Sequence, residues 1–330
     1  MKLNGIFAII WRRGSRFSKG EGIIALAFMA PSLIGISVFF LIPFIDTVRR
    51  SFYDVRGVNF IGLQSYVSVI NNSAFRLAAA NTLRFVTFCI PILMVLSLGI
   101  ALLLRSMGNN KAAASVRGNM GRQTGGLIMQ HGRSGATAPT GPSLGKILKT
   151  SFLLPMAVPV ASIVLLWQVV FDQNGLANTV LTGIRLQPVN FMGSSAAFWV
   201  LIFTYLWKNT GYNMILWLAG LDSISDTLYE AAYVDGAGKL QCFRYITLPG
   251  LLSTVGIVAI ISLLNSFRVF REAYLVAGAY PHDSMYLLQH LFNNWFQNLD
   301  ISRLSAAATM MGAVLLVIIL LMRRFLDEKD

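Results

Sequence analysis

Apolar residues in this chain fall into long runs rather than short amphipathic stripes. Six runs approach or reach the ~20 residues a helix needs to cross a bilayer. They cover 22–45, 83–104, 151–171, 196–218, 249–270 and 306–322. Pro91 lies inside the second run, and Pro155 and Pro159 lie in the first half of the third. Such kinks are tolerated where neighbouring helices satisfy the freed carbonyls. The segments between runs are polar and carry turn residues, including Asn71-Asn72-Ser73, Asp172-Gln173-Asn174-Gly175 and Tyr280-Pro281-His282-Asp283. The pattern predicts an all-α polytopic membrane protein with six transmembrane helices. It divides into a basic segment 1–21, the first two spans 22–104, a polar segment 105–146, a core region 147–326 with four spans, and a tail 327–330. The first run ends in Pro43, Phe44 and Arg49 rather than in small residues, so it reads as a span and not as a cleaved leader.

Composition agrees. Of 330 residues, 55% are apolar and 12% charged; the mean hydropathy is +0.63. Soluble domains carry about 25% charged residues. The net charge of +13 needs no nucleic-acid partner, because its distribution is a membrane topology bias. Segments 1–21, 105–150, 221–250 and 323–330 hold 17 Lys and Arg, against 6 in 46–82, 172–195 and 280–304. The richer set is expected in the cytoplasm, with both termini.

Residues 105–146 are rich in Gly, Ala and Ser, and no acid occurs between 105 and 150. Such a composition cannot bury a core and predicts a loosely ordered insertion. The run Gly141 to Lys146 has letters of a phosphate-binding loop. It is one residue too short, Ile147 replaces the magnesium-binding hydroxyl, and no strand precedes it. Cys89 and Cys242 lie at different expected depths, so no disulfide is predicted. His131, His282 and His290 have no ligand companions at metal-site spacing. No metal, cofactor or catalytic residue is expected.

The longest patterned polar stretch is 229–250, Y-E-A-A-Y-V-D-G-A-G-K-L-Q-C-F-R-Y-I-T-L-P-G. Asp235-Gly236 breaks it into two short helices, and Pro249 suits the first turn of the next span. Small residues at Ala231, Ala232, Gly236 and Ala237 let another backbone approach, as a knob for a partner's groove would require. The order E-A-A, D-G-A, F-x-x-I-x-L-P resembles the cytoplasmic signature loop of binding-protein-dependent ABC importer permeases. Trp207 to Leu221, Leu228, Ser266 to Phe270, Tyr274-Leu275 and Gly278 resemble the carbohydrate-uptake branch. The resemblance covers 147–326 well and the first hundred residues loosely. The chain departs from it in the long 105–146 segment, in Ser225 where the branch often has proline, and in Arg271 where it often has an acid.

The resemblance implies a sugar permease subunit in a bacterial inner membrane that binds no ATP itself. Its implied partners are a second permease subunit, two copies of a cytoplasmic ABC ATPase and an extracytoplasmic solute-binding protein. The loop 222–250 would couple to the ATPase through Glu230, Ala231, Ala232, Asp235, Gly236, Ala237, Ile246, Leu248 and Pro249, with Glu230 pairing a basic residue there.

Polar residues inside spans usually face a cavity or a partner, because a charge at mid-bilayer is costly. Asn209, Asn213, Asn265, Arg268 and Arg271 are therefore candidates for the substrate pathway. Arg268 lies about 28 Å along the helix from Pro249, where it could snorkel to water or pair with Glu272 one turn on. If Arg268 and Arg271 face the pathway, an acidic sugar such as a uronate oligomer becomes a candidate cargo beside a neutral one. Trp167, Trp199 and Trp217 lie near span ends, as interfacial tryptophans do, whereas Trp295 is a candidate contact for an extracytoplasmic partner. The competing reading is a stand-alone secondary transporter or channel, but neither an inverted repeat nor a mid-membrane ion relay is visible. A membrane enzyme would need paired carboxylates or a histidine cluster at membrane depth.

Overall fold

The computed structural model describes residues 19–123 and 144–327. Among these residues the chain is almost entirely helical, with a single bridge between Tyr53 and Phe60. It divides into two compact units. One holds the residues up to Val69 together with Asn298–Gly312, and the other holds Ile70–Gln297 and Ala313–Asp330.

In the first unit, α1 (Lys19–Ile36), a π-helical turn (Ser37–Leu41) and α2 (Ile42–Arg50) follow one another without a break. Pro43 explains the widened turn. It has no N–H, and its ring crowds the carbonyl four residues back, at Phe39. Phe28, Phe39 and Phe40 are exposed, as suits a surface that meets lipid. The loop after α2 is fastened by Ser302, which donates to the Tyr53 carbonyl at 2.8 Å and bonds the Ser65 hydroxyl of α3 (Gln64–Asn71) at 2.5 Å.

The second unit is built on a central helix. It contains α4 (Ser73–Gln123), α5 (Leu144–Ala157), α6 (Val160–Phe171), α7 (Leu176–Gly183) and α8 (Ala196–Asp222). After an elbow described below come α11 (Leu252–Ser266), a 3₁₀ turn (Phe267–Val269), α12 (Phe270–Ala277) and α13 (Leu288–Gln297). Helix α14 (Ile301–Asp327) closes the described chain. Fourteen of the 27 residues of α8 are buried, which makes it the axis against which α4, α5 and α11 pack. One apolar cluster joins Phe85, Leu93, Leu201, Tyr205, Val269 and Leu287. A second joins Ala101, Met214, Trp217, Leu221 and Leu251 nearer the elbow. At Gly211 the helices α8 and α5 touch so closely that a Cβ would sit on the Phe152 carbonyl.

Five helical stretches among the described residues are long and apolar enough to span a membrane: Ala27–Arg50, Ser73–Met107, Val160–Gly183, Leu252–Ala277 and Ile301–Arg324. Helix α8 is long enough for a sixth, but Lys208, Asn209, Thr210 and Asn213 interrupt its apolar run. The third expected span, 151–171, is two helices. Pro155 is carried inside α5, whereas Pro159 stands in extended backbone at the start of α6 (φ −57°, ψ 143°). The residue before a proline avoids helical backbone, so the apolar stretch begins at Val160 and takes in α7. Helix α4 runs on from the second span to Gln123, carrying the Ala112–Ala114 run of helix formers into the basic segment. Residues 124–143, with His131 and the first half of the phosphate-loop-like run, lie outside the described residues, as does the basic lead 1–18.

Early in the Ser73–Met107 stretch, Thr82 accepts from the Leu288 N–H at 3.0 Å, and Asn81 donates to the Tyr286 carbonyl at 3.1 Å. These bonds hold 283–288 on α4. His290 is fully buried beside Phe270 and accepts from the Leu287 N–H at 3.2 Å. Burial pushes its pKa down to about 4.

Two predictions follow from this packing. Gly211→Ala places a methyl on backbone and destabilises by more than about 1 kcal/mol. Gly99→Ala meets open space in α4 and is neutral or stabilising. Thermal unfolding in detergent compares the two. His290 stays neutral when folded and takes a proton near pH 6.5 when unfolded. Stability is therefore full above 6.5 and falls as pH drops from 6.5 towards 4, by up to about 3 kcal/mol. Melting temperature against pH, in wild type and His290→Gln, isolates that loss.

Candidate functional site

Two features of the second unit are candidates for a functional site, a polar cavity along α8 and an elbow at the far end of the same helix. The cavity encloses about 510 Å³. Its wall brings together Lys208, Asn209 and Tyr212 from α8 with Asn265, Arg268 and Arg271 from the α11–α12 junction. The 3₁₀ turn at Phe267–Val269 tightens the helix where it passes the cavity.

The cavity's central contact is an ion pair between Lys208 Nζ and Glu272 Oε1. The Glu272 side chain is 5% exposed and that of Lys208 24%. Sequence spacing made Arg268 the natural partner of Glu272, yet the carboxylate turns across to α8. Glu272 Oε2 is buried without a hydrogen-bond partner among the described residues. Asn209 donates to the Tyr205 carbonyl at 2.9 Å and keeps its place on the wall.

Asn213 does not line the cavity. It is fully buried and donates to the Ser262 hydroxyl at 2.7 Å, tying α8 to α11. Tyr205 adds a second tie, donating to the Ser262 carbonyl at 2.7 Å. Two of the three tryptophans expected at the interface, Trp167 and Trp217, are buried instead. Trp217 is buried and donates to Ser97 on α4 at 3.0 Å. Trp167 is buried edge-on against Phe203 and Trp207, at 5.5 and 5.4 Å. Trp199 is exposed, whereas Trp295 is 7% exposed and lies within the chain's own core. Hydropathy places a tryptophan along a span but does not say which face of the helix it occupies.

The elbow starts at α9 (Asp226–Val234), turns at Asp235 and Gly236, and continues as α10 (Lys239–Cys242). A π-helical turn (Phe243–Thr247) and the turn Leu248–Gly250 lead into α11. The turn is a glycine-capped helix end. Ala237 N–H bonds the Ala232 carbonyl at 2.8 Å, and Gly236 N–H bonds that of Tyr233 at 3.1 Å. This cap needs a left-handed residue, and Gly236 has φ +83°. Glu230, Ala231, Asp235 and Gly236 are exposed; Ala232, Ala237 and Ile246 are half-buried. Large apolar side chains crown the elbow, with Val234 87%, Leu240 78% and Tyr245 72% exposed.

The elbow is tied to α4 and to the end of α8, and its two arms are tied to each other. Arg105, on α4, pairs with Asp226 at 3.1 Å and lies over the Tyr229 ring at 5.3 Å. The Tyr229 hydroxyl bonds that of Thr247 at 2.9 Å, closing the two arms. Ile224, at the end of α8, fills the space beside Gly250. Sequence reasoning missed Arg105, because a charge 121 residues from its partner leaves no local pattern.

A helical membrane chain with a polar cavity and an exposed elbow tied to its helices has the design of a solute-transport subunit. The family model for the binding-protein-dependent transport system inner membrane component matches residues 125–329, and the chain belongs to that family. Over 320 residues it is 26% identical to the sulfoquinovosyl glycerol transport system permease protein SmoG of Agrobacterium fabrum, covering 94% of this chain and 92% of that one. It is 25% identical to the trehalose/maltose transport system permease protein MalF of Thermococcus litoralis, covering 91% and 92%. A chain in the crystal structure of a bacterial ABC transporter involved in import of the acidic polysaccharide alginate has the same fold. It aligns with a TM-score of 0.70 and 22% identity over 97% of this chain and 98% of that one.

Breaking the ion pair should be costly and mutually rescued. Lys208→Met or Glu272→Gln alone loses about 2 kcal/mol or more, since each strands a partly buried partner. The swap Lys208→Glu with Glu272→Lys recovers part of that loss. A double-mutant cycle on melting temperature in detergent measures the coupling, and additive losses would deny it.

Proposed function

We propose that the chain is a sugar-translocating permease subunit of an ATP-driven importer. Its cavity would form one side of the pathway, and its elbow would dock on a separate ATPase. The observation that carries this reading is the elbow itself. It is an exposed apolar knob whose tip residues Ala231, Asp235 and Gly236 are open, while Arg105 and Ile224 fix its base to α4 and the end of α8 and the Tyr229–Thr247 bond holds its two arms together. A loop held this firmly transmits force between a partner and the helices that line the cavity. A self-contained channel has no need of such a knob.

In this reading Glu230 and Asp235 meet basic residues of the ATPase, and the apolar crown buries in its groove. The elbow and both termini lie in the cytoplasm, as the charge distribution favours. A second permease subunit completes the pathway, and an extracytoplasmic solute-binding protein delivers the cargo. The saccharide substrates named for the relatives support a carbohydrate. Asn209, Asn265 and Tyr212 on the cavity wall suit hydroxyl groups, which both donate and accept hydrogen bonds. Closure of the ATPase would pull the elbow and turn the cavity from one side of the membrane to the other.

Gly236→Asp tests the docking. A Cβ there meets nothing of the chain's own within 4 Å, so the internal cost is the left-handed strain, about 1–2 kcal/mol. The variant should insert normally, lose the co-purifying ATPase and cut ATP-dependent uptake at least about tenfold. Glu230→Lys should act in the same direction. Normal uptake in both variants, or solute flux by the lone chain in liposomes without ATP, would overturn the assignment.

A further inference from the structure

We propose that the cavity takes a saccharide bearing a negative charge, a carboxylate or a sulfonate, and that Arg268 and Arg271 select it. This rests on reading the cavity as the sugar pathway. Four charged side chains line the wall: Lys208, Arg268, Arg271 and Glu272. Lys208 and Glu272 neutralise each other. The acids in ion pairs among the described residues are Asp46, Asp226, Glu272 and Asp300, and none of them pairs with Arg268 or Arg271. Both arginines are exposed on the wall. The cavity therefore keeps two positive charges and no free carboxylate to answer them.

Their spacing makes this an anion site rather than a scatter of charge. Three residues apart on helical backbone, across the 3₁₀ turn and the first turn of α12, they share a face. Two like charges on one face repel, so an arriving anion relieves that penalty. A guanidinium also matches the planar edge of a carboxylate or sulfonate with two parallel hydrogen bonds. Glu272 was positioned to quench Arg268 from one turn away. Its commitment to Lys208 is what leaves the arginine available. Asn209 and Asn265 border the same space and would hold the sugar hydroxyls.

A lipid phosphate offers the same chemistry, and the experiment separates the two sources. The assembled importer, with its binding protein, is reconstituted in vesicles of neutral lipid and in vesicles containing anionic lipid. Initial ATP-dependent uptake is measured for a uronate trisaccharide, a sulfonated hexoside and a neutral trisaccharide. Losing two charge-assisted contacts in R268Q/R271Q should lower uptake of the charged probe that the wild type moves by at least about tenfold. R271K should keep part of that uptake, and the loss should be the same in both vesicle types. Wild-type preference for the neutral sugar, an equal loss for charged and neutral probes, or a loss confined to anionic vesicles would overturn the proposal. The first two outcomes leave the importer assignment standing. ATP-dependent uptake of none of the probes would sink the importer assignment as well. Should the double variant fail to fold, thermal unfolding of the wild-type complex decides. Stabilisation by the uronate trisaccharide alone supports the site, and equal or no stabilisation by the neutral one and the uronate overturns it.

Discussion

A cation and a carboxylate set within membrane-spanning helices must find each other before those helices can pack. Lys208 and Glu272 meet this constraint across α8 and α12, and much of the second unit is arranged to allow it. Helix α8 can carry lysine, asparagine and tyrosine because neighbouring helices answer Lys208, Asn213 and Tyr205. Ser262 answers Asn213 and Tyr205, and Glu272 answers Lys208. Trp217 reaches the other way, to Ser97 of α4. These ties fix the rotation of α8, which in turn decides that Asn209 and Tyr212 face the cavity while Met214 and Leu221 face the core.

Apolar run length was enough to read the helical, membrane-spanning architecture, because a bilayer imposes that length on the chain. It was not enough to find breaks. Pro155 and Pro159 look alike in sequence, yet only the second ends a helix. The elbow was legible because Asp235-Gly236 is a local signal and the helix cap needs no distant partner. Asn209, Asn265, Arg268 and Arg271 were found as polar residues in apolar surroundings, and the cavity gathers them. Asn213 fits the same description and is a packing residue. The difference is the serine opposite it, 49 residues away, and no local pattern in one helix records what faces it.

The elbow follows α8 in the chain, and the cavity lies along the same helix. The Tyr229–Thr247 bond closes the arms of the elbow on themselves, so a push on the crown does not merely fold the knob. Arg105 and Ile224 then hold the base against α4 and α8. In the proposed coupling, displacement at Val234 or Leu240 would be delivered to helices that, a few turns on, form or support the cavity wall.

The two π-helical turns share one setting, each straddling the residue four positions before a proline, Phe39 before Pro43 and Tyr245 before Pro249. A π turn amounts to one residue more than the α-helical repeat holds. Removing a residue from Phe243–Thr247 would restore an even helix, yet everything downstream would rotate by about 100° and retreat by about 1.5 Å. Arg268 and Arg271 would then leave the cavity wall for another face of the helix. The extra residue sets the angular phase of the whole α11–α12 segment, and the chain in this stretch is intolerant of a change in length even where it would tolerate a change in side chain.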